Sequence, residues 1–113
     1  MKKNQDKFLD IILKYKAALP DRIVEIEQLF LLFLSDSNFN TLQKLRFKIH
    51  DIEGSAGIFG YLKISSISKQ INELLPSIDS YSPIDKVATQ QIKELLNELK
   101  LINLDVDNSY LKK

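Results

Sequence analysis

His50-Asp51-Ile52-Glu53-Gly54-Ser55-Ala56-Gly57-Ile58-Phe59-Gly60 is the stretch around which this chain is organised. It holds the only histidine of the protein and all three of its glycines. Glycine costs about 1 kcal/mol per site in a helix relative to alanine, yet the region has helical periodicity. Leu42, Leu45, Ile49, Ile52, Ala56 and Phe59 recur at spacings of three and four, the buried stripe of an amphipathic helix. At 100° per residue His50 points roughly 130° away from that stripe and is expected to face solvent. Gly54 and Gly57 follow one and two turns later on the same side, where i, i+4 and i+7 share a face. Bare backbone beside an exposed imidazole suits close approach by another large molecule.

Working outward, Asn40 or Thr41 is placed to cap this helix, which spans about 40–60, and Gly60 to end it. Upstream, Phe8, Ile11, Ile12, Tyr15 and Leu19 predict a short helix over 4–18, interrupted at Pro20, because proline disfavours helical backbone before it. Pro20 then suits the first position of a second helix over 20–35, with Asp21 in its first turn. Ile23, Ile26, Leu29, Phe30, Phe33 and Leu34 form its stripe. Leu31 and Leu32 extend that surface nearly all round, which predicts a helix buried on more than one side and covered by the first. Ser35 to Asn38 form a loop.

Downstream, Ile64, Ile67, Ile71, Leu74 and Leu75 predict a helix over 62–76 closed by Pro76, with Ser65, Ser66 and Ser68 on its solvated side. Ser77 to Pro83 form a loop. Val87 or Ala88, Ile92, Leu95, Leu99 and Ile102 predict a last helix over 83–104. The expected fold is all-α: an antiparallel four-helix bundle with an additional short N-terminal helix. It forms one domain over 1–113, with 1–3 and 105–113 as frayed tails.

Composition narrows the function. Sixteen basic and fifteen acidic residues leave a net charge of +1, which gives no reason to expect nucleic acid. There is no cysteine, so disulfides, thiol catalysis and cysteine-based zinc sites are excluded. A single histidine with Asp51 on another face makes a poor metal site, and none is expected. No glycine-rich nucleotide loop is present. The longest apolar run, Leu29–Leu34, is six residues, against roughly 20 for a membrane span. The residues after Met1-Lys2-Lys3 are polar and show no cleavage pattern, so a soluble, cytoplasmic protein is expected.

The His50 stretch resembles the histidine-containing phosphotransfer (HPt) domain, whose signature H-x-x-K-G-[SA]-[SA] lies on the second helix of a four-helix bundle. His50, Gly54, Ser55, Ala56 and the Phe59-Gly60 pair match, while Glu53 stands in place of the lysine. Family members that read H-x-L-A-G-S-A-G-x-F-G are followed more closely. The resemblance implies that His50 accepts a phosphoryl group, on the ring nitrogen far from the main chain, from a receiver-domain aspartate and passes it to another receiver. It implies a phosphoryl carrier, not an enzyme with kinase activity of its own. No cofactor would be held, magnesium coming from the receiver. The partners would be response-regulator receiver domains or a hybrid histidine kinase, met by a monomer.

Imidazole suits this role because it is a nucleophile whose ordinary titration lies near neutral pH, and phosphoryl transfer depends chiefly on positioning and charge. Glu53, one turn from His50, would repel the phosphoryl oxygens where a lysine would attract them. Arg46, one turn before His50, is placed to neutralise Glu53 or the phosphoryl group, or is a solvated surface arginine. Gly54 and Ser55 support the site. Phe47, Gly57, Ile58 and Tyr61 are expected to dock the partner. The alternative function is a module of the same fold that binds a receiver or kinase without being phosphorylated.

Overall fold

A computed structural model describes residues 2–77 and 84–104, with side chains from residue 7. The described residues form four α-helices and no strand: α1 Lys2–Asp36, α2 Phe39–Ile58, α3 Leu62–Leu74 and α4 Lys86–Leu101. The expected tail 105–113 and most of the loop 77–83 lie outside the described residues.

The separate N-terminal helix does not exist. α1 runs unbroken through Pro20 for 35 residues and takes in Lys2 and Lys3. At 1.5 Å per residue that is about 52 Å, which accounts for the 53 Å long axis of the molecule. Proline in a helix interior removes a backbone donor and costs about 3 kcal/mol. Here it is outweighed by one continuous stripe: Ile12, Tyr15, Leu19, Ile23, Ile26, Phe30 and Phe33 are all buried, at spacings of three and four across Pro20. Each such side chain contributes about 1.5–3 kcal/mol on burial, and a break at Pro20 would turn half the stripe away from the core. Pro20 itself is exposed.

The same continuity overturns the expectation for Leu31 and Leu32. Both are about half exposed, because the helix expected to cover them is the N-terminal half of their own. Phe8 and Ile11 are also exposed.

Two residues link α1 to α2. Ser37 takes a left-handed backbone (φ 49°), and Asn38, not Asn40 or Thr41, caps α2 by accepting from the Asn40 amide at 2.7 Å. The Thr41 hydroxyl donates instead to Asp36 at 2.9 Å. α2 ends in a Schellman motif. Gly60 is left-handed (φ 84°), its amide donates to the Gly57 carbonyl at 3.2 Å, and the Tyr61 amide donates to the Ala56 carbonyl at 2.7 Å. Asp85 caps α4, its carboxylate accepting from the Ala88 amide at 2.7 Å.

Neighbouring helices run antiparallel. Along the α1–α2 seam, Glu25 meets Lys48, Arg22 meets Asp51 and Tyr15 meets Ser55. Lys100 of α4 reaches Glu27 of α1 at 2.8 Å and closes the bundle. The core joins the α1 stripe to Leu42, Leu45, Ile49, Ile52 and Ala56 of α2, Ile64, Ile67 and Ile71 of α3, and Ile92, Leu96 and Leu99 of α4. Ser68, expected in solvent, is buried among these α3 positions. Among the described residues no helix is long and apolar enough to cross a membrane.

Candidate functional site

The α2 stripe is buried, which leaves His50 on the exposed side of the helix. Among the described residues no hydrogen bond or ion pair reaches its imidazole. A methyl group added at Gly54 would meet nothing within 4 Å, so the backbone one turn beyond His50 is open to solvent. Phe47 and Ile58 flank this strip, 69% and 82% exposed. His50, Gly54, Phe47 and Ile58 thus share one free face.

Gly57 is placed differently. A methyl group there would lie 3.5 Å from the Ser65 hydroxyl of α3, so its bare backbone borders the α2–α3 seam. Tyr61, expected to dock a partner, is wholly buried and stacks on Tyr15 with ring centroids 5.9 Å apart. Helical projection stops applying at Phe59. The left-handed Gly60 reverses the chain, and the residue after it in a Schellman motif packs back onto the helix end.

Arg46 does not reach toward His50. Its guanidinium donates through Nη1 to the carbonyls of Asn72, Leu75 and Pro76 at 3.2, 3.4 and 3.0 Å. A cation over the C-terminal end of α3 satisfies orphan carbonyls and complements the helix dipole, and it takes Arg46 out of any electrostatic role at the imidazole. Glu53 is half-buried. Its backbone carbonyl accepts from the Ser65 hydroxyl at 2.7 Å, while its carboxylate makes no ion pair among the described residues.

Ser55 ties α2 to α1. Its hydroxyl donates to the Asp51 carbonyl at 2.8 Å. A hydroxyl has one proton, so Tyr15 is the donor in the 2.6 Å contact between the Tyr15 and Ser55 oxygens. The Tyr15 ring also stacks on Phe59 at 4.6 Å and lies 5.5 Å under the Arg22 guanidinium. Burial pushes the Tyr15 phenol above its ordinary value of 10, and the Ser55 hydrogen bond and Arg22 pull the other way. Arg22 approaches Asp51 at 3.9 Å, and Lys48 holds Glu25 at 2.6 Å. Contacts at positions 48, 51, 53 and 55 therefore brace the helix on both sides of His50.

Sequence reasoning missed Tyr15, Arg22 and Ser65. Tyr15 carried a signal: a phenol on an otherwise aliphatic stripe needs a hydrogen-bond partner when buried. Ser65 and Arg22 carried none, because their contacts cross between helices.

Among the described residues no group of three or more His, Cys, Asp or Glu side chains is arranged to hold a metal ion. The arrangement offers one uncommitted nucleophile on a rigid, approachable helix face. No curated protein and no solved structure gives a significant match to the chain. The family model described as Hpt domain matches residues 10–101, a span that runs from the first turns of α1 to the end of α4. Four helices in this order, with the sole imidazole exposed on the second, fit that match: the chain belongs to the Hpt domain family.

Proposed function

We propose that this protein is the phosphoryl carrier of a two-component phosphorelay, with His50 as the group that is phosphorylated. Hpt domains serve phosphotransfer in two-component signalling. The observation that supports assigning the role to His50 is its free face: an uncommitted imidazole beside open backbone at Gly54, between exposed Phe47 and Ile58. A receiver domain presenting a phosphoaspartate can lie flat on that strip, with Phe47 and Ile58 as apolar contacts.

In the transfer, an imidazole nitrogen attacks phosphorus as the bond from phosphorus to the aspartate oxygen breaks. The aspartate leaves as a carboxylate, and the imidazole sheds its remaining N–H proton to solvent. Magnesium belongs to the receiver's acidic pocket. The chain's own contribution is direction, since the helix that carries the imidazole is braced on both flanks. Passing the group to a second receiver is the reverse step with a different aspartate.

A second reading is favoured by Glu53, whose unpaired carboxylate lies one turn from His50 and opposes phosphoryl charge. In it, the same face docks a receiver or kinase without being phosphorylated. Incubation with phosphorylated receiver domains separates the two. Acid-labile, base-stable label on wild type and none on His50→Gln supports the carrier. Absence of label, with receiver binding that His50→Gln leaves intact, supports the docking module.

A further inference from the structure

Two contacts fix how α3 lies beside the His50 side of α2. The Ser65 hydroxyl donates to the Glu53 carbonyl at 2.7 Å, and Arg46 donates to the Asn72 carbonyl at 3.2 Å. On α2, His50 stands four residues after Arg46 and three before Glu53. On the antiparallel α3, Lys69 stands four residues after Ser65 and three before Asn72. Those spacings share a helix face. His50 and Lys69 are therefore each midway between the same two cross-helix contacts, level with one another across the α2–α3 seam. Both are exposed, whereas Ile49 and Ser68, the residues just before them, are buried. Both side chains thus leave the seam on its outer side.

Lys69 is also uncommitted. Among the described residues no hydrogen bond or ion pair engages its ammonium, neither from Glu73 one turn further along α3 nor from Glu53 across the seam. Arg46, Lys48 and Arg22, by contrast, are held by the α3 carbonyls, by Glu25 and by Asp51. Packed helix axes lie about 8–10 Å apart, a gap that a four-carbon stem can cross.

We propose that Lys69 binds the phosphoryl group once His50 carries it, an inference that rests on the carrier role given to His50. A phosphoryl group on the imidazole places negative charge beside the outer edge of the seam, one turn from Glu53. Lys69 supplies a cation there from the neighbouring helix, pairing with the phosphoryl oxygens and offsetting Glu53. Its ammonium is exposed, strongly hydrated and mounted on a flexible stem. It is therefore not a preorganised charge of the kind that lowers a barrier. Its effect falls on the phosphorylated state: it lowers the free energy of the phosphohistidine and tilts the transfer equilibrium toward this chain.

The test is the plateau ratio of label between a receiver aspartate and His50, read after mixing one purified phosphorylated receiver domain with the full chain. That ratio is a difference between free states and does not depend on how fast the partners dock. Lys69→Gln should move label toward the receiver by about three- to tenfold, and Lys69→Glu further, as expected for one unit charge near phosphoryl oxygens at a wet surface. Lys69→Arg should stay within about twofold of wild type, because it keeps the charge. The gap between wild type and Lys69→Gln should close as ionic strength rises from about 0.1 to 1 M, where the screening length falls from about 10 to 3 Å. Thermal unfolding of the unphosphorylated variants should be unchanged, since the ammonium makes no contact there. An unchanged ratio in Lys69→Gln, with label on wild type, overturns this inference alone. A slower approach to that same ratio does so too, and makes Lys69 a docking residue. No label on wild type overturns the carrier role of His50 and this inference with it.

Discussion

Replacing Arg46 by alanine distinguishes a structural from an electrostatic role for that residue. Nη1 carries two protons and faces three carbonyls at 3.0, 3.2 and 3.4 Å, so about two hydrogen bonds are made at once. Hydrogen bonds from a charged donor contribute about 1.5–3 kcal/mol when buried. Arg46 is half-buried, and carbonyls released at a helix end can rehydrate. Discounted for both, the loss is about 2 kcal/mol. For a domain of this size that lowers Tm by about 8 °C, as measured by thermal or urea unfolding. Arg46→Lys should recover part of the loss, because an ammonium offers a point charge without the planar fork. Transfer from a phosphorylated receiver, assayed well below the lowered Tm, should stay within about twofold of wild type. An unchanged Tm together with a transfer rate reduced by tenfold or more would refute the assignment, and would return Arg46 to the phosphoryl group.

Three further outcomes are expected. Gly54→Ala should raise stability by about 0.5–1 kcal/mol, because its methyl group meets nothing within 4 Å. The same change should weaken receiver binding, measured by calorimetry, where a partner lies against that backbone. Glu53→Lys should speed phosphoryl transfer by about 3- to 10-fold in stopped-flow or gel assays, from reversal of a contact worth about 1 kcal/mol in water before screening. Tyr15→Phe keeps the stack on Phe59 but loses the donor to Ser55, at a cost of about 1 kcal/mol. The Tyr15 phenol is held above 10 in the folded state, so its contribution is complete below pH 10 and is lost as pH rises through the folded value. The stability gap between wild type and Tyr15→Phe should therefore narrow above pH 10.

Much of this architecture was legible in the sequence because periodicity reports burial directly. The α2 stripe, the exposure of His50 and the stop at Gly60 all follow from spacing and from glycine's tolerance of positive φ. The helix break at Pro20 did not follow, because proline's cost is a local rule and the stripe from Ile12 to Phe33 outweighs it through contacts made with other helices. Counted across the proline, seven residues stand in unbroken three-four spacing, which argues for one helix. Tyr61 was misplaced because its direction was projected from a helix that ends at Ile58, three residues earlier. Arg46 was misplaced because a long side chain is directed by its partners, here three carbonyls 26 to 30 residues away in sequence, and not by the face on which its Cα sits.

The bracing of α2 bears on where the chemistry of transfer resides. Lys48 and Asp51 tie the helix to α1 by ion pairs, Ser55 does so through Tyr15, and the carbonyl of Glu53 ties it to α3 through Ser65. These contacts lie two residues before His50 and one, three and five after it, yet none touches the imidazole. They fix where the ring stands without supplying it a base, a metal or a compensating cation. Glu53, one turn away, makes no ion pair among the described residues, and its charge has the sign that opposes phosphoryl oxygens. A site of this kind cannot by itself lower the barrier for charge transfer through electrostatics; it contributes orientation. On the proposed role of His50, the electrostatic stabilisation has to arrive with the partner, and docking on the Phe47–Ile58 face would be a condition of chemistry and not only of recognition. It follows that small-molecule phosphodonors, which bring no docking surface and no cation cluster, should phosphorylate His50 far more slowly than a receiver domain does.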